Sequence, residues 1–384
     1  MVYRTALITL ISLLVFSCQN AGTKATTEGE SADTTASNPH SSEDWQGKEY
    51  KSMLHYPQEK HLANIKQLTF GGDNAEAYFS FDSEKLVCQV NNPEWDLECD
   101  QIYYFNWAND DLRTNRPKMI STGKGRTTCS YFLPGDSLII YSSTHLEHEA
   151  CPPVPEARED GAYVWPIYPE FDIFVADLEG NIKAQLTDTP GYDAEPTVSP
   201  NGDRIVFTST RSGDLELYTC NIDGSNIVQF TDQLGYDGGA FFSPDGEKIV
   251  FRASRPQTDE EIEEYKSLLS QGLVKPTNME LYVCNADGSD LKRITELGQA
   301  NWAPFFHPSG EKIIFSSNHA SPRGFPFHLY MINLDGSGLE QITYDLQFDA
   351  FPMFSPDGKK LVFASNRENG GTRATNLFIA DWVE

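Results

Sequence analysis

Five basic side chains recur at one place in a repeated pattern. His145, Arg211, Arg255, His319 and Arg367 each stand where the second strand of a repeat gives way to a longer segment, with Asn92 at that place in the first repeat. Repeat symmetry would set them in a ring, and a basic collar could bind an anionic ligand or the carboxylate end of a peptide. The same symmetry sets Asp193, Asp237 and Asp349 at the openings of the first strands, so structural ion pairs are the alternative, and the favoured one. His145 and His319, with His148 and His328 close in sequence, are the candidate metal ligands. Their spacing is nothing like HExxH and their repeats are not adjacent, so neither a metal nor a cofactor is expected. Tyr163, Trp165, Tyr168 and Phe171, in YVWPIYPEF, would suit a platform for a sugar or peptide, or would simply pack a long loop down. Trp165 joins the five basic residues as the candidate ligand-binding set.

Cysteine supplies a second kind of chemistry. Besides Cys18 there are six, an even number that allows 15 pairings. Cys220 and Cys284 occupy strand positions held by Ile332 in another repeat and read as buried residues. A Cys129–Cys151 bridge is expected to staple the insertion that holds Cys151, with Cys88–Cys99 a second candidate and free buried thiols the alternative. No GxSxG elbow, Walker loop or dinucleotide fingerprint occurs, and no catalytic residue is assigned. An α/β-hydrolase domain is not expected, since the chain stops where the sixth repeat ends.

The elements that must position these residues are written repeatedly. FFSPDGEKIVF, VSPNGDRIVF, FHPSGEKIIF and FSPDGKKLVF are copies of one hairpin, and FSFDSEKLVC and FLPGDSLII are weaker copies, making six. Pro presets φ and Gly tolerates positive φ in the turn, while β-branched and aromatic residues on both sides favour strands. Between hairpins comes a second pair of strands ending in Thr, as in LYTCNIDGSNIVQFT and LYVCNADGSDLKRIT. Four strands per repeat of roughly 40–45 residues predict a propeller blade. The fold class expected is all-β: a six-bladed propeller with blades over 76–122, 128–187, 195–231, 239–295, 303–343 and 351–382. Residues 65–69, IKQLT, match the last strand of a repeat that has no beginning, and the final repeat lacks that strand. The N-terminal strand therefore closes the last blade. Long segments at 91–99, 145–170, 255–278, 319–326 and 367–375 all fall on one face, where function tends to gather. In one of them Thr258 and Glu261 form a capping box, Ile262, Tyr265 and Leu269 share a face, and Gly272 ends the run. One short inserted helix follows, packed against the ring.

The N-terminus is organised differently. Arg4 precedes an apolar run over residues 6–16, too short to span a bilayer, that ends in Leu14-Val15-Phe16-Ser17-Cys18. This looks like a lipobox, so residues 1–18 are expected to be a lipoprotein signal peptide with Cys18 lipidated; an ordinary secretory signal is the alternative. Residues 19–47, rich in Ser, Thr, Ala, Glu, Asn and Gly, read as a flexible tether, and residues 48–384 as the propeller domain. A formal net charge of −27 argues against nucleic acid as a partner.

The repeated SPDG-x-x-I-V-F and L-Y-V-x-N-x-D-G elements resemble the TolB-like, WD-repeat-like propeller family over about residues 65–382. The resemblance implies a bacterial envelope protein working as a binding scaffold. It does not extend to the α/β domain that precedes the propeller of TolB, because only a tether and a short lead-in stand before residue 65. The expected function is a lipid-anchored, monomeric, non-enzymatic scaffold, held at the membrane only by its N-terminal lipid, most simply at the outer membrane. It would bind an envelope protein, peptide or glycan through the insertion-bearing face. Some related propellers are carbohydrate lyases, so the alternative is a metal-dependent lyase built on His145 and His319 at the channel mouth.

Overall fold

In the computed structural model, which describes residues 42–43, 49–50, 52–156, 158, 162–321 and 324–384, the repeats fold into six four-stranded antiparallel sheets. The expected signal peptide, the expected lipidation site Cys18 and most of the expected tether lie outside the described residues; Ser42–Glu43, near the end of the expected tether, pairs with Glu49–Tyr50 just beyond it. Blades I to V each run consecutively, for example Asp193–Val198, Arg204–Ser209, Glu216–Asn221 and Val228–Gln229 in blade III. Blade VI takes Asp349–Phe354, Lys360–Ser365 and Asn376–Trp382 from the end of the chain. Its fourth strand is Leu62–Gln67, antiparallel to Asn376–Trp382 with Gln67 opposite Phe378.

The repeated Thr explains why that strand belongs there. In blades II to V the hydroxyls of Thr187, Thr231, Thr295 and Thr343 accept from the backbone N–H of Ile173, Leu217, Leu281 and Leu329 at 2.8–2.9 Å. Thr69 does the same for Leu377 at 2.8 Å, across the seam between the two ends of the domain. The turns repeat as well. Gly202, Gly246, Gly310 and Gly358 have φ between 70 and 75°. A Cβ on Gly202 would come within 2.0 Å of Pro134 on the neighbouring blade, so this turn needs glycine for space as well as for conformation.

Second strands are buried almost throughout, as in Arg204–Ser209 and Lys312–Ser317, because each is flanked by strands in its own sheet and by adjacent blades on both faces. The apolar clusters lie between blades: Val87, Ile102, Phe132, Ile139 and Phe174 join blades I and II, and Phe242, Ile249, Leu217 and Val206 join III and IV. The first strands begin before the expected boundaries, at Asp73, Thr127, Asp193, Asp237, Asn301 and Asp349. The reason is a bulge in each of them, which interrupts the alternation that marks a strand in sequence.

Candidate functional site

The bulges make the site. In each innermost strand one residue takes positive φ: Glu76, Cys129, Glu195, Gly239, Ala303 and Phe351, with values between 44 and 59°. Five of these are not glycine, so five of the six blades accept local strain at this bulge. All six line a central cavity of about 700 Å³. Two residues further along, Tyr78, Tyr131, Phe241 and Phe305 meet one another, with ring centroids 5.2–6.4 Å apart. They floor the channel and make it blind.

The insertions build the rim. Trp165–Pro166, from the blade II insertion, pairs with Leu273–Val274 from the blade IV insertion. This holds Trp165 with its ring 5.2 Å from Trp302 and edge-on to Tyr236. Trp302 is fixed in turn by donating from Nε1 to the carbonyl of Pro276 at 2.8 Å. The helix Asp259–Ser270 carries the expected capping box, and Tyr265 and Leu268 are its buried residues. Tyr265 donates to Asp214, docking the helix on blade III. Cys151 is joined to Cys99, with Cα atoms 5.5 Å apart, and not to Cys129. The bulge turns Cys129 into the channel, whereas Cys151 stands above it beside the blade I insertion; Cys88 and Cys129 are free.

Polar groups in the cavity are few and specific. Glu195 accepts from Arg252 Nη2 at 2.9 Å, from the Gly239 amide at 2.5 Å, from Thr208 at 3.1 Å and from the Tyr236 hydroxyl. Arg252 also donates to the Tyr236 hydroxyl at 2.7 Å and lies 5.5 Å from the Trp165 ring, while its Nε has no partner. A Cβ at Gly239 would fall 1.7 Å from Arg252 Nη1, so glycine at this bulge is what lets the guanidinium reach Glu195. Arg126 pairs with Asp100 at the rim. Glu76 has an Oε2 without a hydrogen-bond partner, and burial lifts its carboxyl to about 7. Burial, then the charges of Glu76 and Glu195, hold the Cys129 thiol well above its ordinary range, so it stays protonated and is a poor nucleophile.

Of the six residues expected at the channel mouth, only Trp165 lines the cavity. Arg211 donates from Nη2 to both oxygens of Asp193 at 2.9 and 2.7 Å, and Arg255 is bidentate to Asp237. Arg367 meets Asp349 at 3.1 and 3.2 Å and, in addition, Glu59 of the lead-in at 2.9 and 3.2 Å. Where blades II and V open with Thr127 and Asn301 in place of Asp, the base is His145 or His319. Each of these bonds its own blade's serine, Ser143 or Ser317, at 2.9 Å, and burial lowers the pKa of both. The collar is therefore tied blade by blade, and these two histidines belong to opposite blades. Among the described residues no group of three or more His, Cys, Asp or Glu side chains is placed to hold a metal ion.

Sequence reasoning missed Glu76, Glu195, Arg252, Tyr236 and Trp302. One signal was present: Pro196, Pro304 and Pro352 directly follow the bulged residue in three blades, and proline within a strand marks an edge or a bulge.

A family model described as the TolB beta propeller domain matches residues 151–261. Among solved structures, a protein assigned as TolB from Agrobacterium tumefaciens superposes with a TM-score of 0.50 at 19% identity, covering 82% of this chain and 91% of that one. TolB from Acinetobacter baumannii gives 0.48 at 17%, covering 81% of this chain and 63% of that one. An oligogalacturonate lyase from Vibrio parahaemolyticus gives 0.46 at 13%, with 83% and 93% covered. No curated protein sequence matches. Blades and closure define the class: the chain is a six-bladed β-propeller, within which residues 151–261 match the TolB beta propeller domain.

Proposed function

We propose that the protein is an exported, lipid-anchored component of the bacterial cell envelope, held by Cys18, whose propeller binds a ligand without transforming it. A protein segment, peptide or glycan enters the insertion-bearing mouth. The observation that carries this reading is the blind cavity of about 700 Å³, roofed by paired insertions and walled by aromatic side chains around a few fixed polar groups. Such composition and size suit ligand binding. No described helix is long and apolar enough to cross a membrane, and the reading places the anchor at the N-terminus instead.

The test uses the full-length protein in its envelope. A photo-crosslinking residue at Tyr163, which is exposed at the rim, is expected to capture a component in the wild type and to lose it with Trp165→Ala or Trp302→Ala. Equal capture by all three would overturn the cavity as the site. Cys18→Ser is expected to abolish palmitate labelling and release the protein from membranes; retention without labelling would overturn the anchor.

A further inference from the structure

The charges around the cavity do not balance. The charged side chains among its described lining residues are Asp73, Glu76, Asp100, Glu195, Arg126 and Arg252. Two couples are closed, Asp100 with Arg126 and Glu195 with Arg252. Asp73 sits exposed at the rim. Glu76 remains, set below the rim by its bulge, with one oxygen unpartnered and only the Cys129 thiol bonded to it. Arg252 is the nearest cation, yet its Nη2 is committed to Glu195 and Tyr236.

A carboxylate left in an apolar enclosure calls for a counter-charge. The walls favour the same sign, since Trp165, Tyr192, Tyr236, Trp302, Phe327 and Phe351 surround the space with aromatic groups, and ring faces attract cations. We infer that the cavity takes a ligand carrying a positively charged nitrogen, an ammonium or guanidinium on an apolar body, which it brings to Glu76 between the aromatic walls. A carboxylate ligand would meet the charge of Glu76, and the one deep guanidinium, though its Nε is unpartnered, is already neutralised by Glu195. A neutral sugar would leave most of its hydroxyls facing carbon. The inference rests on the cavity being the binding site and adds the class of ligand.

Three probes of one shape separate these possibilities: phenethylammonium, 2-phenylethanol and phenylacetate, titrated by calorimetry into the full-length protein at pH 8. The cation is expected to bind at least tenfold more tightly than the alcohol, with phenylacetate weakest. Glu76→Gln should erase the tenfold preference of the cation over the alcohol, and Trp302→Ala should weaken both. Equal binding of the three, or a preference that survives Glu76→Gln, would overturn the inference while leaving the cavity a site. Absence of binding by any probe would overturn it too, and the Tyr163 crosslink judges the cavity separately. Phe-Ala-Ala amide offers the same ammonium at a peptide end. If it binds more tightly than phenethylammonium, the ligand is a peptide terminus; if it is excluded, a small free cation.

Discussion

Glu76 is held at a cost to the fold. Burial raises its carboxyl from the ordinary range to about 7; Glu195 and Asp100 add to the rise, while the Cys129 thiol and Arg252 oppose it. An acid raised in this way stabilises the folded state below its unfolded value near 4.5, and that contribution is lost as pH climbs through 7. Glu76→Gln, neutral at every pH, should therefore leave thermal stability unchanged at pH 4.5 and raise it at pH 8, by up to about 3 kcal/mol. Calorimetric melting at the two pH values checks this. Arg367 is the opposite case. Its side chain is fully buried between Glu59 and Asp349, so Arg367→Ala strands two carboxylates and should cost about 3–5 kcal/mol in urea unfolding. Arg293, 42% exposed beside Glu280, should cost less than about 1 kcal/mol when replaced by Ala. The pairing of bases with Asp193, Asp237 and Asp349 was legible because the repeats set acid and base in register. Glu59 was not, since it stands 308 residues from Arg367 and outside every repeat.

At the level of elements, the blades were readable because hairpin turns and the closing Thr have strict chemical requirements that recur. The bulges leave almost no such trace: Glu, Cys, Gly, Ala and Phe all occupy the same strained position, imposed by the ring and not by residue preference. The cavity they build was accordingly hidden, although the face it opens on was marked by the long insertions. Gly239 is the exception where residue type is dictated, and Gly239→Ala should both strain the strand and push Arg252 off Glu195. Crystallography of that variant should show the guanidinium displaced. The rim depends on a link between two insertions. Cys99→Ser opens a loop of 52 residues and should cost about 2–4 kcal/mol. Limited proteolysis should then cut between residues 144 and 164 well before the blades are attacked; unchanged cleavage would mean that the paired strands at Trp165 hold the insertion unaided.

For the whole molecule, closure by Leu62–Gln67 was visible in the orphan IKQLT and the incomplete last repeat. Deleting the chain up to Gln67 should bare the edge of Asn376–Trp382, a ready template for pairing, and light scattering should find larger species than the intact chain forms. The seam also imposes an order of birth. Residues 62–67 leave the ribosome among the first of the folded domain, and their partners at 376–382 are among the last. Early blades can stack as they emerge, yet the ring stays an open horseshoe until residues 376–382 have been made. Under the proposed export, such a chain would remain threadable through a translocation pore until residues 376–382 had emerged, and the ring would lock only on the far side of the membrane.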